Sequence, residues 1–232
     1  MQEREPRRVF IKCAGTVIAG TALRPLALAA QAAPAQQTQM AEEVSPTEDL
    51  MREHGVLNRI LLIYDEIERR IDTKRDYDPK VLTASAEIIS KFIQDYHEKL
   101  EENYIFPRFI KAGKLTDTVQ ILLAQHAAGR DVTARILRLA NAKTQPDRVR
   151  LRDAIHSFVR MYRPHEARED TVVFPELHRL VSQHEFDSLG EEFEKQEQKL
   201  FGADGFEKVV AQVAGLEKQL GIGNLAQFTP QS

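Results

Sequence analysis

Two eleven-residue segments of the sequence share an unusual arrangement of histidine and carboxylate residues. The first, HEKLEENYIFP, begins at His97, and the second, HEAREDTVVFP, begins at His165. Both read H-E-x-x-E, then a second acidic residue, three variable residues and Phe-Pro. A packed core requires apolar residues at helical spacing and not a repeated histidine with glutamates. The repetition therefore indicates that these side chains have a functional role and not only a packing role.

The spacing within each segment places a histidine and a glutamate on one face of a helix. Residues i and i+4 lie about 40° apart around a helix axis, so His97 is grouped with Glu101 and His165 with Glu169. Imidazole is a ligand for iron, zinc and copper, and a carboxylate can bridge two metal ions. Each segment thus supplies a candidate nitrogen ligand and a candidate bridging carboxylate.

A single histidine precedes each segment at a similar distance, His54 in the first half and His126 in the second. One helical histidine is more often a surface or core residue, and HExxE also arises by chance in glutamate-rich helices. The joint pattern on four helices is far less common by accident. It favours two metal ions, each with two imidazoles, that share both carboxylates.

The elements that must position these residues are predicted to be helices. Glycine is scarce and β-alternation is absent between residues 45 and 202. Ser45 opens a capping box, and apolar residues follow at helical spacing: Leu50, Leu57, Ile60, Leu61, Tyr64 and Ile67. Thr116 is predicted to cap the third helix, Pro107 to break the second, and Pro164 and Pro175 to interrupt the fourth.

Short loops between these four helices predict antiparallel neighbours. The expected fold is all-α, with an up-down-up-down four-helix bundle over residues 45–181. A second capping box at Ser182 opens a further helix, and one more follows it. Residues 182–232 are therefore predicted to form a C-terminal helical appendage on the bundle.

The N-terminal residues resemble an export signal. Arg7 and Arg8 precede an apolar stretch at 13–23, and a region of small residues follows. This order predicts a signal peptide over 1–35, a polar tether over 36–44 and export to the bacterial periplasm. The paired arginines resemble the twin-arginine signal, and the alternative is an ordinary secretory signal with a chance arginine pair. Cys13, the only cysteine, lies in this leader.

Charge and hydropathy limit the classes of partner. The net charge of −3 gives no reason to expect nucleic-acid binding. No stretch reaches the length of apolar residues that a stable membrane span requires.

Four segments resemble the hemerythrin-like, HHE cation-binding domain: EHGVLNRILLIYDE, HEKLEENYIFPRF, QHAAGR and RMYRPHEAREDTVVFPEL. The resemblance covers roughly residues 45–181 and implies a non-haem di-iron centre, with two Fe ions inside a four-helix bundle. Carried over position by position, it implies these metal ligands: His54, His97, Glu101, His126, His165 and Glu169.

The sequence departs from the oxygen-carrying members of that family. Those proteins have a second histidine four residues after the third-helix histidine, where this chain has Arg130. An arginine cannot ligate a metal, so one iron is expected to have an open position. The oxygen carriers also have an aspartate where this chain has Asp170. We favour Glu169 as the bridging ligand because it matches Glu101 in the repeat.

Three other residues keep alternative roles open. Glu98 and Glu166 directly follow a segment histidine and could reach a metal or accept a hydrogen bond from a ligand. Tyr104, seven residues after His97, is predicted to share the metal face, where it either packs in the core or gates the site. The remaining histidines are expected to be surface or structural residues: His156, His178 and His184.

The implied function is binding of a small ligand, O2, NO or peroxide, at an open iron position. The alternatives are an oxidase- or peroxidase-type enzyme and iron buffering or storage. The sequence does not decide whether the protein is an enzyme, and it identifies no protein partner.

Overall fold

Helices form nearly all of the regular backbone in residues 44–140 and 143–230, the residues that the computed structural model describes. No β-strand occurs among them, so the predicted all-α class is confirmed. Six helices follow one another: α1 (Pro46–Asp72), α2 (79–112), α3 (Thr116–Leu139), α4 (145–180), α5 (Gln183–Phe201) and α6 (Gly205–Leu220). The predicted export signal (1–35) and the tether (36–44), except for Val44, lie outside the described residues.

Side-chain caps explain where two of the helices begin. The Oγ atoms of Ser45 and Ser182 accept hydrogen bonds from backbone N–H groups of the first turns of α1 and α5, at 3.2 and 3.3 Å. Both predicted caps are therefore confirmed. The prediction for α3 is wrong, because Thr116 is itself the first helical residue. The preceding Leu115, with φ 49°, takes the left-handed conformation that turns the chain into the helix.

The prolines do not break the helices, contrary to the sequence prediction. Pro164 lies inside the α-helical part of α4, Gln145–Arg168. Pro107 and Pro175 lie in the first turn of the α-helical segments Phe106–Ala112 and Phe174–Leu180, which end α2 and α4.

A π-helical turn precedes each Phe-Pro pair, at Glu101–Ile105 and Glu169–Val173. The backbone N–H of Phe106 donates to the carbonyl of Glu101, and that of Phe174 donates to the carbonyl of Glu169. Such i→i+5 bonds accommodate one more residue than an α-helical turn. A proline at the next position lacks the N–H that an ordinary turn would use, which accounts for its place after the wide turn.

The helices pack so that the buried histidines and most other buried polar residues lie among α1 to α4, with Glu197 of α5 as an exception. Helix α1 packs against α2 and α4, and α3 packs against the same two helices. The six apolar residues predicted to face inward from α1 are all buried, which confirms that face. Helix α6 covers parts of α1 and α2, and α5 contacts α1 and α6. Residues Ser45–Ser232 form one compact unit.

Candidate metal centre

Four buried histidines, one from each of the helices α1 to α4, meet in two pairs. In the first histidine pair, the Nε2 atoms of His54 and His97 lie 3.0 Å apart. In the second histidine pair, the Nε2 atoms of His126 and His165 lie 3.2 Å apart. None of the four residues is more than 4% exposed. The structure thus brings together all four histidines that the spacing singled out.

Two buried glutamates lie between the pairs. Oε2 of Glu101 lies 3.7 Å from an Nε2 atom of the first pair and 3.5 Å from one of the second. Oε2 of Glu169 lies 3.4 and 3.2 Å from Nε2 atoms of the first and second pairs. Each carboxylate therefore approaches both pairs, as a bridging ligand must. The six residues form two groups with ligand atoms within 4.8 Å of one another: His54, His97 and Glu101; His126, His165 and Glu169.

Every histidine ring contacts an oxygen acceptor through its other nitrogen, Nδ1. We call the four residues that provide these oxygens the outer acceptors. With the distance from Nδ1 to the oxygen in parentheses, they are Asp170 at His54 (2.7 Å), Glu53 at His97 (2.7 Å), Glu102 at His126 (3.1 Å) and Gln125 at His165 (2.8 Å). Carboxylate and amide oxygens accept hydrogen bonds, so Nδ1 carries the proton and Nε2 keeps its lone pair. When all four rings are neutral, four imidazole lone pairs therefore converge.

The Phe-Pro end of each repeated segment belongs to the same site. Phe106 stacks on the ring of His126, and Phe174 stacks on the ring of His54, each with 5.6 Å between ring centroids. The acidic residue at the sixth position of each segment is the outer acceptor of that same ring. Each segment therefore provides a histidine, a candidate bridging carboxylate and two contacts that orient a histidine of the other half.

The two bridging candidates have the properties of cation ligands. No side-chain oxygen of Glu101 or Glu169 has a hydrogen-bond partner of acceptable geometry among the described residues. Burial and the nearby Glu169 charge raise the pKa of Glu101 well above its ordinary value. Burial acts in the same direction on Glu169, but His165 and His54 outweigh it and lower the pKa of that carboxyl. Cations between the pairs would stabilise both carboxylates in the charged form, so the donor set fits two metal ions.

Protons compete with a cation for the first histidine pair. Burial opposes protonation of His54, but the Asp170 and Glu169 carboxylates outweigh it and raise its pKa to about 10. Burial and the charge of His54 lower the pKa of His97 well below its ordinary value. Before any cation binds, one proton thus resides mainly on His54. Metal binding must release it, which makes the metal affinity fall at lower pH.

Arg130 is already engaged by carboxylates. One of its guanidinium nitrogens, Nη2, lies 2.6 Å from Glu102 and 2.7 Å from Glu98. Glu98 also accepts a hydrogen bond of 2.7 Å from the hydroxyl of Tyr162. The arginine that stands in place of the expected fifth histidine therefore supports the outer acceptor of His126. Glu166 is buried, and burial raises its pKa to about 7.

Tyr104 does not share the metal face. Its hydroxyl donates to Glu192 of α5 at 3.1 Å, and its ring packs edge-on against Phe193. Tyr104 lies within the π-helical turn Glu101–Ile105, where the angle between successive residues is smaller than in an α-helix, so the seven-residue spacing no longer returns to the face of His97. The remaining histidines lie elsewhere: His156 contacts Glu68, His178 packs on Phe186, and His184 is exposed.

Sequence reasoning missed three outer acceptors: Glu53, Glu102 and Gln125. For Glu53 and Gln125 the signal was present, because each directly precedes the single histidine of its half. On a helix, adjacent side chains project about 100° apart around the axis. Glu53 and Gln125 therefore point toward the other histidine of their pair, which lies on the adjacent helix.

Comparison with known proteins agrees with this geometry. The family model for the Hemerythrin HHE cation binding domain matches residues 45–177 and again 117–221. An uncharacterized protein of Mycobacterium bovis and one of Mycobacterium tuberculosis are each 50% identical to the chain over 190 residues, which is 81% of this chain and 74% of the relative. No solved structure gives a significant match.

Proposed function

This chain belongs to the hemerythrin HHE cation-binding domain family, and from that premise we propose a non-haem di-iron protein that binds a small ligand, O2, NO or peroxide, at an open iron position. The supporting observation is the convergence of four Nε2 atoms on two buried carboxylates that have no hydrogen-bond partner of acceptable geometry in the described part of the chain. The proposed metal ligands are His54, His97, Glu101, His126, His165 and Glu169.

Iron would supply reversible electron transfer and a position for the small ligand. The protein supplies orientation and exclusion of water. The outer acceptors fix the four imidazole rings, and Phe106 and Phe174 cover two of them. Because the histidines and bridging glutamates are almost completely buried, their surroundings favour a small uncharged ligand over a large polar substrate.

Anaerobic loading with Fe(II) tests this function. We expect two iron atoms per chain, and we expect His97→Ala and His165→Ala each to lower that number because each removes a ligand. The matched controls His178→Ala and His184→Ala should keep two irons, since both side chains lie outside the site. One iron or none in the folded wild type would contradict the di-iron proposal.

The loaded protein also separates the alternatives. A change in the optical spectrum on addition of NO or O2, without turnover, supports ligand binding. Catalytic consumption of O2 or peroxide indicates an enzyme, and iron well above two atoms per chain indicates storage.

We also propose that α1 to α4 run up-down-up-down as the cation-binding bundle over 45–181, with residues 182–232 as a helical appendage. The connections support this topology because each is only a few residues long: 73–78, 113–115 and 140–144. Among the described residues, no helix is both long enough and apolar enough to cross a membrane.

For localisation we propose export to the periplasm by the twin-arginine route, which carries folded proteins. Arg7 and Arg8 support this proposal. Replacing both with lysine should abolish export while leaving a folded, iron-loaded protein in the cytoplasm. Unchanged export of that variant would indicate an ordinary secretory signal.

A further inference from the structure

The two histidine pairs differ in their outer acceptors, although their inner geometry is nearly the same. Both rings of the first pair donate to carboxylates, Glu53 and Asp170. In the second pair, His165 donates to the neutral amide oxygen of Gln125.

The one carboxylate at the second pair shares its charge with other groups. Glu102 accepts hydrogen bonds from Arg130 at 2.6 Å and from Lys99 at 2.5 Å, in addition to that from His126. Two cations therefore compensate Glu102, the only carboxylate among the described residues that faces an Nδ1 atom of this pair.

This difference changes the donor strength of the Nε2 atoms. A carboxylate that accepts from Nδ1 raises the basicity of the imidazole and the affinity of its metal, and loss of such a partner typically costs about 10- to 100-fold in affinity. An amide oxygen, or a carboxylate whose charge is compensated by cations, attracts the Nδ1 proton less strongly. It therefore raises the donor strength of Nε2 by a smaller amount. Once the proton on His54 is released, the first pair therefore presents stronger Nε2 donors to a metal ion than the second.

We propose that the two metal positions are inequivalent, with the position at His54 and His97 filled first, and that Gln125 sets the weaker affinity of the position at His126 and His165. This inference rests on the proposed di-metal function and adds the order in which the two metal ions bind. Gln125 acts as a positioning residue, because it reaches the metal only through His165.

Stepwise titration with Co(II), read from its d–d absorption against a competing chelator, tests the inference in the full chain. Wild type should show a tight and a weak step. Gln125→Glu should tighten the weak step about 10-fold and leave the tight step unchanged. Glu53→Gln should weaken the tight step about 10-fold and leave the weak step unchanged.

The two variants are expected to change metal affinity in opposite directions. A general loss of structure cannot explain this result, because a destabilised protein does not bind a metal ion more tightly. Circular dichroism confirms folding, and if Glu53→Gln does not fold, Asp170→Asn tests the same pair at a side chain that is 33% exposed. Two equal steps in wild type, or an equal shift of both steps in Gln125→Glu, would overturn the inference while leaving the di-metal proposal intact. Binding of fewer than two Co(II) ions by wild type would overturn both.

Discussion

At the scale of single residues, the roles of Glu169 and Asp170 depend on which nitrogen of a histidine each one approaches. Glu169 lies near Nε2 of His54 and His165, where the lone pairs converge. Asp170 contacts Nδ1 of His54 at 2.7 Å and is partly exposed. The oxygen-carrier alternative, in which Asp170 bridges the metals, therefore lacks support from the geometry.

We predict that Glu169→Ala abolishes the two-metal spectrum, because it removes a ligand shared by both positions. Asp170→Ala should keep two metal ions and weaken binding at the position of His54 and His97 by about 10- to 100-fold, the usual effect of losing a hydrogen-bond partner of a metal-binding histidine. Iron stoichiometry and chelator competition on the two variants measure both effects. Loss of the centre in Asp170→Ala but not in Glu169→Ala would reverse the assignment.

A second prediction concerns the buried carboxyl of Glu166. Burial raises its pKa to about 7, whereas an unfolded glutamate titrates near ~4.3. Between these values the folded state retains a proton that the unfolded state has lost. The contribution of Glu166 to stability is therefore full below about pH 4.3 and is lost as the pH rises through about 7, by at most about 1.4 kcal/mol per pH unit.

Glu166→Gln should remove this contribution, so metal-free protein carrying it should lose less stability than wild type between about pH 5 and about pH 7.5. Urea unfolding in the presence of a chelator measures the difference. Glu207→Gln, at an exposed position of α6, is the matched control and should follow wild type. Parallel pH profiles for wild type and Glu166→Gln would show that Glu166 ionises normally.

The six proposed ligands could be identified from the sequence because their types and spacing recur in both halves. The role of Arg130 could not, since its partners Glu98 and Glu102 lie on another helix. No local pattern states whether a guanidinium faces a carboxylate or an open metal position.

At the scale of elements, α3 and α4 approach closely where a glycine leaves room for a tyrosine. A Cβ atom on Gly129 would lie 2.0 Å from the hydroxyl oxygen of Tyr162. That hydroxyl donates to Glu98, which pairs with Arg130. The glycine therefore permits a hydrogen-bonded link from α4 to α2 beside the site.

We predict that Gly129→Ala displaces Tyr162, breaks its hydrogen bond to Glu98 and destabilises the protein by about 1–3 kcal/mol. Gly55→Ala in α1 is the matched control, because nothing lies within 4 Å of its added Cβ. That control should be stabilised by about 0.5–1 kcal/mol through helix propensity. Urea unfolding of both variants measures the contrast, and equal effects would show that the contact with Tyr162 relaxes freely.

Capping residues and apolar periodicity predict that helices form. They do not predict that a helix continues through a proline. Pro107 and Pro175 indicate breaks when an α-helical turn is assumed. Their tolerance depends on the π-helical turns before them, and an i→i+5 hydrogen bond leaves no local composition signal. The same turns explain why the position of Tyr104 was predicted wrongly.

At the scale of the whole molecule, the C-terminal helices are joined to the metal-binding helices by more than apolar contact. Arg59 of α1 makes a two-point interaction with Glu217 of α6, at 2.8 and 2.6 Å. Arg70 of α1 donates to the carbonyl of Leu220, the last residue of α6. Val213 and Leu220 of α6 are also buried.

We predict a coupling energy of about 1 kcal/mol between Arg59 and Glu217, because both are partly buried and the geometry is bidentate. A double-mutant cycle with Arg59→Met and Glu217→Gln, followed by urea unfolding, measures it. The exposed pair Glu87 and Lys91 is the control, with an expected coupling of about 0.3–0.5 kcal/mol. No excess over the control would mean that the Arg59–Glu217 pair contributes no more to the attachment of α6 than an exposed ion pair does.

The π-helical turn that begins at each candidate bridging glutamate and ends just before its Phe-Pro pair also bears on protein design. In an ordinary α-helix, a residue five positions on lies about 140° around the axis. The wider turn returns Phe106 and Phe174 toward the side of their glutamates, where each stacks on a histidine. Grafting HExxE alone onto an ideal helix would therefore transfer the ligands without the aromatic cover. A graft should therefore contain the complete eleven-residue segment and keep its π-helical turn.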